Sequence, residues 1–267
     1  MADYSNITLT REGAVARLVL NRPERRNALT QAMMLELEDA FKRVASDGEC
    51  RVLVLRGAGG HFSAGGDLAV MADMPPEPAD GVVDPLVASY RQFGDALLAL
   101  NRVPQPTVSV VEGSAVGGGF GMVCCSDVVI LHESARFGLP EPKAGFIPSQ
   151  ILPFIVRRIG EGPTRDLALT ARVIDAAEAH RLGVGRHVCT TTADLNRTLK
   201  GVIEDTLKLE PQALAAVKRL VLSTAASDDR SVLDDAAHSL VALLRRPQAS
   251  EGIEAFMRKT APSWTKG

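Results

Sequence analysis

The chain has 267 residues, 46% of them hydrophobic, enough for a substantial buried core in one domain with or without an appendage. Thirty basic against 32 acidic side chains leave a formal charge of −2, which gives no electrostatic footprint for nucleic acid or an anionic membrane. No apolar run reaches membrane-spanning length and the N-terminus, Met-Ala-Asp-Tyr-Ser-Asn, lacks a signal-like apolar segment, so a soluble cytoplasmic protein is expected.

Ile7–Thr10 and Ala14–Leu20 flank Arg11-Glu12-Gly13 and predict an antiparallel hairpin, ended by Asn21-Arg22-Pro23. From Thr30 to Ser46 the apolar residues Met33, Met34, Leu37, Ala40, Phe41 and Val44 recur near every 3.6 residues, which predicts an amphipathic helix capped by Thr30. The short apolar run Arg51–Arg56, broken by Gly57-Ala58-Gly59-Gly60, predicts a buried strand and so a strand-helix-strand crossover. His61-Phe-Ser-Ala-Gly-Gly-Asp67 then leads into the apolar stretch Leu68–Met74, and the proline- and acid-rich residues 75–85 predict an exposed mobile loop. Helical spacing resumes over Leu86–Leu100 and stops at Pro104 and Pro106. Thr107–Val111, Val128–Leu131 and Phe137–Leu139 read as strands, and periodic apolar faces predict helices over Leu195–Leu209, Pro211–Thr224 and Ser231–Leu244. The expected organisation is a core over residues 1–195 and a helical region for packing or assembly over 196–267. The four cysteines, Cys50, Cys124, Cys125 and Cys189, have neither disulfide nor zinc spacing and read as buried apolar thiols.

Two strand-to-helix junctions carry the chemistry. In residues 108–127 an apolar strand runs into Gly117-Gly118-Gly119 and then a helix-like stretch; the earlier junction holds Gly65-Gly66. Glycine permits tight turns and close approach of a ligand, while a helix start has unpaired N–H donors. If the junctions converge, two backbone N–H groups can hold a carbonyl oxygen as it becomes an enolate or tetrahedral oxyanion; otherwise the glycines serve turns and helix packing. Neither segment has the dinucleotide or Walker register, which disfavours nicotinamide and nucleotide hydrolysis chemistry. Glu141, pinned between Pro140 and Pro142, is a candidate acid or base, with a solvent-facing turn acid as the alternative. Asp127 reads as a local cap, and Glu112 as either structural or close to the site. His61, His132, His180, His187 and His238 have no metal-ligand spacing, and no G-x-S-x-G elbow occurs, so neither a metal site nor a serine hydrolase is predicted.

Taken in order, Asn21–Leu29, Phe62–Leu68, Gly113–Gly119, Phe137–Glu141 and Gly145–Pro148 resemble the crotonase (enoyl-CoA hydratase/isomerase) superfamily over most of the chain. The resemblance implies an α/β fold, a spiral of ββα turns with a C-terminal helical trimerisation region, assembling as a homotrimer or as a hexamer of two trimers. It implies an acyl-CoA thioester as substrate with no further cofactor, an oxyanion hole from the N–H groups of Gly66 and Gly118, and Glu141 as the acid-base carboxylate. Substrate or coenzyme A contacts would fall on Arg25, Arg26, Ala28, Ser63, Ala64, Asp67, Leu68, Gly117 and Pro140; Arg25 and Arg26 also read as solvated surface charges.

One departure stands out: typical hydratases of the family carry a glutamate two residues after the last glycine, where this chain has Gly121. A two-carboxylate hydration does not carry over unchanged, and single-carboxylate isomerases keep the same second glutamate. Residues 140–160 resemble bacterial hydratases acting on 3-methylglutaconyl-CoA or isohexenylglutaconyl-CoA, which ranks hydration of a β-branched 2-enoyl-CoA first, ahead of isomerisation and of a non-catalytic acyl-CoA-binding protein. A second substrate carboxylate would call for a cation; Lys143, Arg157 and Arg158 are the candidates, each also readable as surface charge. Gln150 or Ser149 is a candidate for positioning water, or simply for capping the next helix.

Overall fold

The structure is a computed structural model, and it describes residues 4–71, 76, 78–224 and 229–265. Strands β1 (Ile7–Glu12) and β2 (Val15–Leu20) form the expected hairpin, with Ile7 opposite Leu20 and Glu12 opposite Val15. Helix α1 (Gln31–Ser46) is capped by Thr30, whose side chain accepts from the Met33 N–H. It returns the chain to β3 (Val52–Gly57), which pairs parallel to β2 and completes the crossover. Helix α2 spans Leu68–Met71; the remainder of the expected apolar stretch to Met74, and Pro75 and Glu77 of the expected mobile loop, lie outside the described residues. Helix α3 (Pro85–Arg102) starts at a proline behind Asp84, which caps the Leu86 N–H.

The chain continues through β4 (Thr107–Val111), β5 (Ser114–Val116), α4 (Gly118–Cys124), β6 (Val128–His132) and β7 (Arg136–Gly138). Then follow α5 (Leu152–Ile159), α6 (Glu161–Thr170), β8 (Val173–Asp175), α7 (Ala176–Arg181) and β9 (His187–Cys189). Helices α8 (Thr192–Leu207), α9 (Pro211–Ser223), α10 (Asp229–Leu244) and α11 (Pro247–Arg258) close the chain. The large sheet has the order β1-β2-β3-β4-β6-β9 and is parallel apart from the first pair; β5-β7-β8 form a second, smaller sheet.

Strand β3 is an uninterrupted apolar run because both its faces are buried. Leu53 and Leu55 join Leu18, Leu20, Met33, Leu37 and Phe41 on one side. Val52 and Val54 pack on the other with Val108, Val110 and Ile130, against Leu195, Leu199 and Ile203 of α8. Helix α8 therefore belongs to the layer that covers the sheet, and a division at 195/196 runs through it. Beyond it the character changes. Helix α9 has no buried residue, and Val217, Val221, Leu233, Leu240 and Phe256 are exposed. All four cysteines are buried and free, and burial pushes the Cys124 thiol up to about 12.

Candidate active site

The two glycine junctions meet. β3 leads through a short turn into residues 62–67, which are stitched to β5 and to the segment before α1 by two parallel bridges, Ser63 with Ala115 and Leu29 with Gly66. The Ser63 N–H donates to Ser114 O (2.8 Å), that of Val116 to Ser63 O (3.2 Å), that of Leu29 to Gly65 O (2.7 Å) and that of Asp67 to Leu29 O (3.0 Å). The alternation of a bridge aims the intervening Gly66 N–H to the other side. On the second junction Gly117 N–H donates to Gly138 O (2.9 Å), whereas Gly118 opens α4 and its N–H belongs to the unpaired donors of a helix start. Among the described residues neither the Gly66 nor the Gly118 N–H has an acceptor within the chain.

Two glycines make this approach possible. Gly65 has φ +85°, and a Cβ there would lie 2.8 Å from Val116 O and 3.5 Å from the Gly118 nitrogen. Gly117 has φ +51°, and a Cβ there would stand 2.6 Å from Glu141 Oε1 and 3.8 Å from Gly65 Cα. The three segments thus share one small space. Glu141 begins a single 3-10 turn, Glu141–Ala144, immediately after Pro140, and is 9% exposed. Its Oε2 is buried without a hydrogen-bond partner, and desolvation holds its carboxyl above the usual carboxylate range.

Gly66, Gly118 and Glu141 all line one cavity of about 560 Å³, walled by Leu29, Met34, Phe93, Phe146 and Ile151. Asp67, Ser149 and Gln150 line it too. Asp67 is already engaged, accepting from both terminal nitrogens of Arg22 at 3.1 Å; Arg22 also donates to Ala28 O at 2.6 Å. This pair ties the Gly66 loop to the preceding chain. Asn27 adds a second tie: its Nδ2 donates to Ala58 O and His61 O, and its Oδ1 accepts from the Arg22 N–H. Arg22 and Asn27 are thus braces that the motif reading did not assign; a fully buried asparagine at φ +57° is their signature.

Ser63 is fully buried, its hydroxyl donating to Asn27 O and accepting from the Gly65 N–H, so this side chain shapes the loop. Ala28 is buried and Ala64 half-buried, while Arg25, Arg26, Leu68 and Pro140 are exposed. His61 accepts from the Ser114 N–H, Glu112 pairs with Arg56 at 2.7 Å, and Asp127 accepts from Thr107, a local structural role for each. Lys143 is exposed and does not line the cavity; Arg157 and Arg158 line a different one. No described Lys or Arg lines this cavity. Gly121 sits against Ile151: a Cβ there would clash with Ile151 Cγ2 and lie 2.7 Å from its Cβ. Among the described residues no three His, Cys, Asp or Glu gather as a metal site, and no helix is long and apolar enough to cross a membrane.

Paired free N–H donors beside a buried, unpaired carboxylate can hold a carbonyl oxygen while a proton moves on or off the adjacent carbons. Comparison with known proteins agrees. The family model for enoyl-CoA hydratase/isomerase matches residues 10–267. The enoyl-CoA hydratase EchA19 of Mycobacterium tuberculosis is 33% identical over 258 residues, covering 95% of this chain and 94% of its own. The crystal structure of an enoyl-CoA hydratase/isomerase from Marinobacter aquaeolei superposes with a TM-score of 0.93 at 38% identity, covering 98% of this chain and 99% of that one. Pseudomonas aeruginosa AtuE gives 0.92 at 40% identity, covering 98% and 100%. With its crotonase-type α/β core, helical C-terminal region and near-complete match, the chain belongs to the enoyl-CoA hydratase/isomerase family.

Proposed function

We propose that this protein hydrates a β-branched 2-enoyl-CoA, of the 3-methylglutaconyl-CoA or isohexenylglutaconyl-CoA type, with Glu141 as its one acid-base carboxylate. The observation that carries the reading is the convergence of two acceptor-free N–H groups, on Gly66 and Gly118, with the buried, unpartnered Oε2 of Glu141 in one apolar cavity. The thioester oxygen sits between the two N–H groups. Glu141 takes a proton from water as its oxygen bonds to the β-carbon; the π electrons pass to the thioester as an enolate, and Glu141 returns the proton to the α-carbon. Each oxyanion donor contributes roughly 3–4 kcal/mol in sites of this type. Arg25 and Arg26, exposed and close in sequence to the Gly66 loop's braces, meet the phosphates of coenzyme A; Asp67 lines the cavity, Gly117 stands beside Glu141, Ala28, Ala64, Leu68 and Pro140 belong to the segments around the cavity mouth, and the fully buried Ser63 acts only by holding the Gly65 loop. The distal carboxylate of a dicarboxylic substrate meets no described cation in the cavity and reaches its open mouth or a neighbouring subunit.

The exposed apolar residues of α9–α11, Phe256 at 85% and Leu233 at 68% among them, support assembly of a cytoplasmic homotrimer or hexamer through this region. Isomerisation is the second reading, and one observation favours it: Gly121 offers no second carboxylate, and Ile151 fills the space beside it. Incubation with 3-methylglutaconyl-CoA, isohexenylglutaconyl-CoA, an unbranched 2-enoyl-CoA and a 3-enoyl-CoA, with products weighed by mass spectrometry, tests both. Gain of one water, lost in Glu141→Gln, supports hydration; a mass-neutral double-bond shift replaces it with isomerisation; no product from any substrate leaves acyl-CoA binding alone.

A further inference from the structure

A second cavity, about 1070 Å³, lies at the other end of the active-site helix. Gly118 opens α4 in the first cavity, and Cys124 at its last residue lines the second. Five basic side chains face this space, Arg102, Arg157, Arg158, Lys218 and Arg219, against a single carboxylate among the described lining, Asp127. That carboxylate is spent: it accepts from the Thr107 N–H and hydroxyl, and from Lys218 Nζ at 2.7 Å.

Among the described residues the guanidinium groups have no anionic partner. Arg102 has neither a hydrogen bond nor an ion pair among the described residues; Arg157 has only the face of the Phe154 ring, 6.0 Å from its centroid. Arg158 donates from Nη2 to Ser126 O, and its Nε is buried with no acceptor among the described residues. Arg219 reaches only a hydroxyl, Ser239 Oγ, at 2.9 Å. Arg102, Arg157 and Arg219 are exposed and Arg158 is half-buried; like charges lining one cavity repel one another through solvent, and the buried Arg158 Nε without an acceptor carries a desolvation cost. Both are relieved by one kind of guest. Arginine forks match the oxygens of a phosphate in bidentate fashion, and a single negative charge would leave most of the excess unbalanced.

We propose that this cavity is a binding site for a multivalent phosphate-bearing anion, separate from the acyl-CoA cavity. Titration calorimetry of the full chain with pyrophosphate at fixed ionic strength tests it. Saturable binding is expected, weakened about tenfold or more in Arg102→Gln/Arg157→Gln, which removes the charged hydrogen bonds to the phosphate oxygens. The charge-keeping Arg102→Lys/Arg157→Lys variant should fall between the two. Binding should persist in Arg25→Gln/Arg26→Gln. No saturable binding, equal binding by the Arg102/Arg157 glutamine variant, or loss of binding in Arg25→Gln/Arg26→Gln would each overturn the proposal. Unchanged far-UV circular dichroism of each variant excludes unfolding as the cause, and no turnover is needed for the readout.

Discussion

The two walls of the acyl cavity differ in what they leave undone. On one wall Glu141 is buried with Oε2 unpartnered and its carboxyl pushed upward by desolvation, a polar group kept at a cost. On the other, Ile151, 2% exposed, lines the cavity beside Ser149 and Gln150 and packs on Gly121, taking the space where a side chain would stand. Unsatisfied polar atoms persist where chemistry requires them, and well-packed apolar contacts mark a place from which chemistry has withdrawn. The contrast supports the proposal that Glu141 handles the proton, whichever direction the proton then takes.

The strongest way to break this comparison is Glu141→Gln, which keeps the shape and removes the base. Loss of kcat by about 10²–10⁴-fold with KM little changed is expected in a steady-state assay on the substrate identified by mass spectrometry. Retained turnover would move the chemistry to the opposite wall. In the parent enzyme Glu141 must be ionised to accept a proton, so kcat/KM should rise with pH along a limb lying above the usual carboxylate range. Next in size is Gly65→Ala. At φ +85° with its new Cβ 2.8 Å from Val116 O, alanine must displace the loop that carries the Gly66 N–H. A kcat loss of about 10²–10³ is expected, the scale of one oxyanion donor; an unaffected rate would take Gly66 out of the oxyanion hole.

Gly121→Glu sharpens the comparison from the apolar side. The new side chain must push Ile151 aside, so the single variant should unfold at lower denaturant, by about 1–3 kcal/mol of overpacking. Gly121→Glu/Ile151→Ala opens room for the carboxylate and should recover part of that stability. If the second wall lacks only a carboxylate, the double variant also raises the ratio of hydrated to isomerised product. A ratio unchanged from the parent's would show that Gly121 does not limit hydration.

The same contrast governs what was legible in the sequence. α1 was plain because six apolar residues repeat at helical spacing behind a threonine cap, and the β1–β2 hairpin because its strands are six residues long. β5, β8 and β9 are three residues each, too short to show a period, and exist because neighbouring strands supply their partners. The glycine junctions announced themselves locally, since tight turns demand a particular residue. The Arg22–Asp67 tie joins residues 45 apart, and Ile151 facing Gly121 joins residues 30 apart; neither has a local pattern, so only the fold discloses them. Arg157 and Arg158 read from the sequence chiefly as surface charge and only secondarily as partners for a substrate carboxylate; they line the second cavity.

The smallest effect concerns stability and points the opposite way from activity. Glu141 has a folded-state pKa raised above its unfolded value, so its contribution to stability is most favourable at low pH and declines as pH rises through the folded value. The fold disfavours the ionised form of this carboxylate, and Glu141→Gln removes that charge. The variant should melt a few degrees higher than the parent at neutral pH, given that about 1 kcal/mol moves Tm by roughly 2–4 °C in a chain of this size. The gap should narrow as pH falls below the folded pKa, where the parent carboxyl is itself protonated. A gap that stayed constant with pH would mean that the gain came from packing, and that the carboxylate is not held at a cost for its chemistry.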